Sequence, residues 1–168
     1  MYFVTICAQN RQCLFGDVVD GEMRLNDAGH MVERWWNELD LKFPNVVMDG
    51  LAVMPNHIHG IIVIVGADLC VRPDMADIDN EGAHIGAPLP EIVQWFKTMT
   101  TNEYIIGVKQ HGWPPFHSKL WQRNYYERII RNDTELDRIR RYIRDNPLNW
   151  DTDEENLNRK SGSNLAAP

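Results

Sequence analysis

The chain has 168 residues, 43% of them hydrophobic, and its 24 acidic side chains outnumber 17 basic ones to leave a net charge of −7. That is enough for one domain burying roughly two thirds of its unfolded surface, and acidity taken as a whole speaks against a polyanion partner. Cys7, Cys13 and Cys70 are odd in number and follow no ligand spacing, no run reaches the roughly 20 apolar residues of a membrane span, and no signal-peptide pattern opens the chain, so a reduced, cytoplasmic setting without disulfides is expected.

The first predicted element is a strand from Tyr2 to Ala8, followed by a turn region from Gly16 to Gly21 and a short extended piece ending at Leu25. Asn26 or Asp27 caps a helix whose buried face is Met31, Trp35 and Leu39, joined by Val32 and Trp36, and Phe43-Pro44 ends it. Strands Val46 to Met54 and His57 to Val65 form a hairpin about Pro55-Asn56. Residues 66–88 mix aspartates with glycines and small residues and read as a mobile insertion, with His84 incidental to it. A second helix, Pro90 to about Ile106, turns Ile92, Trp95, Phe96 and Met99 toward the sheet and Lys97 away. Leu120 to Ile130 has aromatic, strand-like composition. The last helix has Asn132 as N-cap, Glu135 three positions on and an apolar stripe of Leu136, Ile139 and Ile143, and Pro147 stops it. One domain over residues 1–150 and a disordered tail over 151–168 are expected. The element order points to an α/β (α+β) sandwich, a mainly antiparallel sheet with helices packed on one face.

Two constellations carry chemistry. In Met54-Pro55-Asn56-His57-Ile58-His59-Gly60, His57 and His59 sit at i and i+2 of a strand, so both imidazoles leave the same face and can converge on one ion while Ile58 turns away. Read alone, such a pair is as easily two ordinary polar residues at a turn. In the last helix, Tyr142 and Asn146 are one turn apart at the margin of the buried stripe, which brings a phenol and an amide toward one point.

Taken in order, MPNHIHGIIVI, LWQRNYYERIIRN and RIRRYIRDNP resemble the single-tyrosine HUH transposases, and most closely the REP-associated tyrosine transposases. The resemblance runs from about Tyr2 to Trp150. It implies a ferredoxin-like core, His57 and His59 as metal ligands, Asn146 completing the metal shell, and Tyr142 as nucleophile. It further implies a divalent metal, Mg2+ or Mn2+, a single-stranded DNA substrate with a hairpin of the REP-like palindrome kind, and a monomer or homodimer. Relatives usually carry a short DNA-recognising segment ahead of the first strand, whereas this sequence opens at Met1-Tyr2-Phe3 inside it.

Those residue types suit the reaction. Cutting one strand while conserving the phosphoester needs a nucleophile that stays attached, and a tyrosine hydroxyl yields a phosphotyrosine and a free 3′-hydroxyl. A phenol with a pKa of about 10 is protonated at neutral pH, so a cation must polarise the phosphate. Imidazoles by themselves suit zinc or another transition metal, and only the resemblance favours magnesium or manganese.

Charge placement reverses the inference from net charge. Eight of the 17 Lys and Arg residues, Lys119, Arg123, Arg128, Arg131, Arg138, Arg140, Arg141 and Arg144, lie in the stretch that also holds Tyr142. With Lys97, the candidates for DNA contact are Lys119, Arg123, Arg128, Arg131, Arg138 and Arg141. Tyr125 and Tyr126 are expected to pack or face DNA. Three other classes compete, one of them a structural or interaction domain with no nucleic-acid function. A domesticated, non-catalytic DNA-binding protein keeps the fold and the basic helix without needing the nucleophile. A histidine-triad-like nucleotide hydrolase needs a third imidazole at position 61, which is Ile61.

Overall fold

The computed structural model describes residues 1–65 and 87–159, so the expected insertion, apart from its last two residues, and the tail beyond Arg159 lie outside the described residues. Strand β1 (Tyr2–Cys7) leads into a hairpin of β2 (Gly16–Val19) and β3 (Glu22–Leu25), then α1 (Asp27–Asn37) and a single helical turn, α2 (Leu39–Lys42). Strands β4 (Val46–Val53) and β5 (His57–Ile64) follow, then α3 (Leu89–Gln110), β6 (Tyr126–Ile129) and α4 (Asp133–Asp145). Caps set the helix starts as the residue types require: the Asn26 side chain accepts from the Gly29 amide at 2.9 Å and Asn132 accepts from the Glu135 amide at 2.9 Å. Glu135 in turn accepts from the Arg131 amide rather than from that of the cap residue, so the capping box is displaced by one position.

The main sheet has the order β4-β5-β1-β6, every pair antiparallel. With α1 between β1 and β4 and α3 between β5 and β6, this is the split βαββαβ arrangement of a ferredoxin-like core. The first strand of the small hairpin, β2, occupies what composition presents as a turn region. β6 is shorter than the strand read there; beyond it, Trp121 makes only an isolated bridge to Ala8. No helix among the described residues is long and apolar enough to cross a membrane.

Strand alternation sorts side chains onto two faces. From β1 and β5, Val4, Ile6, Ile58 and Ile62 join Met31, Val32 and Trp36 of α1 and Ile92, Val93 and Phe96 of α3 in the larger core. Gly60 belongs to this face too: a Cβ there would lie 2.2 Å from the Trp36 ring, so only glycine lets α1 approach so closely. Phe3 and Ile61, from alternate positions, pack with Ile130, Leu136, Ile139 and Ile143 in a second, smaller cluster. The expected one-sided helix layer therefore describes α1 and α3, while α4 lies across the opposite face. Arg140 pins that helix to β4 through Asp49, at 2.6 Å, and holds the Asp49 carboxyl below its usual range. α4 thus runs back over the sheet and delivers its C-terminal turn to the end of β5 where the histidines stand.

Candidate metal and nucleophile site

His57 and His59 are buried, 0% and 4% exposed, and their Nε2 atoms are 3.0 Å apart. Their orientation follows from neighbours. The Asn56 amide nitrogen donates to two backbone carbonyls, of Arg11 at 3.2 Å and Glu155 at 2.8 Å, which turns its oxygen toward His57 Nδ1 at 2.8 Å. An amide oxygen only accepts, so His57 carries its proton on Nδ1 and presents a lone pair at Nε2. His59 Nδ1 meets the Thr5 hydroxyl, also at 2.8 Å, leaving its Nε2 directed at the same point. Phe3 stacks on the His59 ring with centroids 5.4 Å apart. Burial holds both imidazoles neutral: it pushes His57 well below the ordinary value, with His59 adding to the effect, and lowers His59 to about 3.

Tyr142 reaches this point from α4, its hydroxyl 3.4 Å from His59 Nε2 within the same chain. Burial, and the Asp153 carboxylate next, push the phenol up to about 12, against which a hydrogen bond from Asn146 acts. Asn146 is 1% exposed, and its side-chain oxygen has no hydrogen-bond partner. Past Pro147, a 3-10 turn (Pro147–Thr152) brings the chain back over the site instead of letting it trail away. There Asp153 lies with one carboxylate oxygen and one nitrogen of each histidine all within 4.8 Å of one another. Arg11 anchors this returning segment by pairing with Glu155 at 2.8 Å and donating to the Glu154 carbonyl at 3.3 Å. The disordered tail expected from residue 151 therefore does not describe residues 151–159, where Asn156 is itself buried.

The residues present fit a divalent cation. Two imidazole nitrogens at about 2.1 Å from one ion and at a right angle lie about 3.0 Å apart, which matches the Nε2 separation observed here. The unpartnered Asn146 oxygen and the Asp153 carboxylate supply hard donors beside the imidazoles, and each imidazole is oriented by a side-chain oxygen on its far nitrogen. Thus His57, His59, Tyr142 and Asn146 are brought together, and Asp153, Thr5 and Asn56 join them without having been singled out in sequence. Asn56 directly precedes the histidine pair. Thr5 stands opposite His59 in the β1–β5 register, a pairing that only the sheet reveals.

Other reactive groups are occupied or shielded. Cys7 is driven to about 12 by burial and by Glu155, so it remains a thiol. Tyr125 packs with the larger core under the Lys97 ammonium, 5.3 Å from its ring centroid, and is raised to about 12 by burial. Lys97 itself spends its donors on the carbonyls of Gln122, Arg123 and Asn124, and burial lowers it to about 8. Arg128 pairs with Glu135 at 2.7 Å. By contrast Lys119, Arg123, Arg131, Arg138 and Arg141 are exposed and form no ion pair among the described residues. Arg138 and Arg141 lie one helical turn and one residue before Tyr142. Lys119 and Arg123 rim a groove of about 380 Å³ between α3 and the segment ahead of β6.

No family model matches the sequence. An uncharacterized protein of Haemophilus influenzae is 35% identical over 161 residues, covering 91% of this chain and 83% of its own length. Among solved structures, a REP-associated tyrosine transposase bound to a REP hairpin superposes with a TM-score of 0.54 at 16% identity, over 88% of this chain and 66% of that one.

Proposed function

Since the chain belongs to one family with the Haemophilus influenzae protein and shares the fold of a REP-associated tyrosine transposase, we propose that it is a metal-dependent DNA transposase or nickase that cleaves and rejoins single-stranded DNA near hairpins. The observation that carries this reading is the meeting, within one chain, of the Tyr142 hydroxyl with two imidazoles whose Nε2 atoms share one point. A single chain then suffices for the chemistry, and a homodimer is not needed to complete the site.

Tyr142 acts as nucleophile. Its oxygen forms a bond to the scissile phosphorus as the bond to the 3′-oxygen breaks; the phenol loses its proton, the departing oxygen gains one, and a phosphotyrosine and a free 3′-hydroxyl result. Rejoining is the same exchange reversed. His57 and His59, with Asn146 and Asp153 at hand, would hold a divalent cation, Mg2+ or Mn2+, which when bound would supply charge that polarises the phosphate oxygens. Thr5 and Asn56 hold the imidazoles in ligating orientation, and the Asn146 hydrogen bond favours the phenolate over the phenol. Arg131, Arg138 and Arg141, with Lys119 and Arg123 farther off, bind the phosphate backbone without regard to sequence. Lys97 and Arg128 position chain segments instead. A histidine-triad hydrolase is not favoured, because position 61 is a buried isoleucine in the α4 cluster.

Labelled single strands containing a hairpin, incubated with the protein and Mn2+ and then denatured, test the reading. A protein–DNA adduct that survives denaturation is expected. Binding without an adduct would instead support the domesticated DNA-binding protein.

A further inference from the structure

One exposed aromatic residue shares the active face and plays no part in the chemistry above. In the sheet register His59 pairs with Thr5, and Thr5 pairs with Tyr126, so Ala52, His59, Thr5 and Tyr126 form one row across the four strands. Directly paired residues point to the same face, which places the Tyr126 side chain beside the site, two strand spacings or about 10 Å from His59. Tyr126 is 52% exposed on a short edge strand, and its hydroxyl has no hydrogen-bond partner among the described residues. Among the described residues its one ring contact is with Phe3, edge to face at 6.3 Å, and the same Phe3 stacks on His59 and meets Tyr142 edge-on at 6.0 Å. Ring contacts therefore run without a break from the nucleophile, through the buried Phe3, to an open phenol ring.

A ring serving only the core would pack against it as Tyr125, its partly buried chain neighbour on the opposite face, does. Half-open, level with the imidazoles and on the same side as the exposed Arg138, it offers what an unpaired base next to a bound phosphate requires: a flat apolar surface within reach of the phosphate-to-base span of a nucleotide. The geometry points to Tyr126 as the stacking platform for one unpaired base flanking the scissile phosphate, a subsite that fixes strand register at the site. This rests on the single-strand cleavage reading and adds the position of one base to it. Because every base has a π-face, the platform selects for an unpaired base and not for its identity.

The test uses the Tyr142→Phe protein, so that binding is measured without chemistry, and hairpin strands made abasic one position at a time around the cleavage site. One position is expected to lose about tenfold or more in affinity when its base is removed. Adding Tyr126→Ala should weaken the intact strand by a similar factor and erase the penalty at that position alone, while Tyr126→Phe, which keeps the ring, should preserve both. An abasic profile unchanged by Tyr126→Ala overturns the platform. If that happens while the wild-type protein forms its adduct, the platform falls and the cleavage reading stands; if the wild-type protein neither binds nor reacts with any strand, both fall together.

Discussion

The two faces of one sheet are built to opposite ends. On the α1 and α3 side the β5 residues are Ile58, Gly60 and Ile62, all in a dry apolar core close-packed enough that Gly60 has no room for a Cβ. On the α4 side the same strand offers His57, His59 and Ile61, and around them stand Thr5, Asn56, Asn146 and Asp153, with a buried amide oxygen left unpartnered. Burying polar groups is costly unless each is satisfied. The contrast teaches that the first face supplies the stability that lets the second hold neutral imidazoles and a phenol around a point suited to a cation. Substitutions on the two faces should accordingly fail in different ways.

The largest effect should come from Tyr142→Phe, which removes one oxygen and keeps the ring: covalent adduct should fall to background in a denaturing gel while hairpin DNA still binds in a gel-shift assay. Next, His57→Ala or His59→Ala should weaken Mn2+ binding by more than about a hundredfold in calorimetric titration, beyond the roughly 10–100-fold typical of residues that only orient a ligand. Unchanged affinity in both variants would rule out the metal assignment. On the opposite face, Ile62→Ala should cost about 2–5 kcal/mol in denaturant unfolding, with metal affinity of the folded protein intact. If it instead abolished metal binding in folded protein, the division between the faces would be wrong. Thr5→Val keeps the shape of Thr5 but removes the oxygen on His59 Nδ1, and should weaken metal binding by about 10–100-fold.

The smallest effect concerns pH. Both histidines titrate below the ordinary value of 6.5 because they are buried, His59 near 3. As pH drops below 6.5, the unfolded chain takes up protons that the folded chain refuses, so these groups' contribution to stability is complete above 6.5 and is lost progressively as pH falls toward 3. Denaturant midpoints of metal-free protein measured from pH 7 to pH 4 should decline, and less so in a variant lacking one imidazole.

Much of this arrangement is legible in sequence, because it rests on periodicity. Alternation along His57–Ile64 separates imidazoles from the core, and the stripe Leu136, Ile139, Ile143 sets which side of α4 is buried and leaves Tyr142 at its margin. The hairpin strand β2 escapes such reading because four residues that open on Gly16 and are soon followed by Gly21 look like a turn. Asp153 escapes for a different reason. Its acidic, small-residue surroundings have no periodicity, and what returns it to the site is tertiary: the 3-10 turn after Pro147 and the grip of Arg11 and Asn56 on Glu154 and Glu155. The basic cluster is visible in sequence, but composition cannot separate Arg140, committed to Asp49, from Arg138, which forms no ion pair among the described residues.

The most direct measurement is to locate the covalent bond. After reaction of a hairpin strand with the protein and Mn2+, nuclease and protease digestion followed by mass spectrometry should find the nucleotide mass on the peptide bearing Tyr142, and a parallel reaction with EDTA should show none. A nucleotide on Tyr125 or Tyr126, or a Tyr142 adduct formed equally well with EDTA, would contradict the meeting of phenol and metal-held imidazoles on which the account rests.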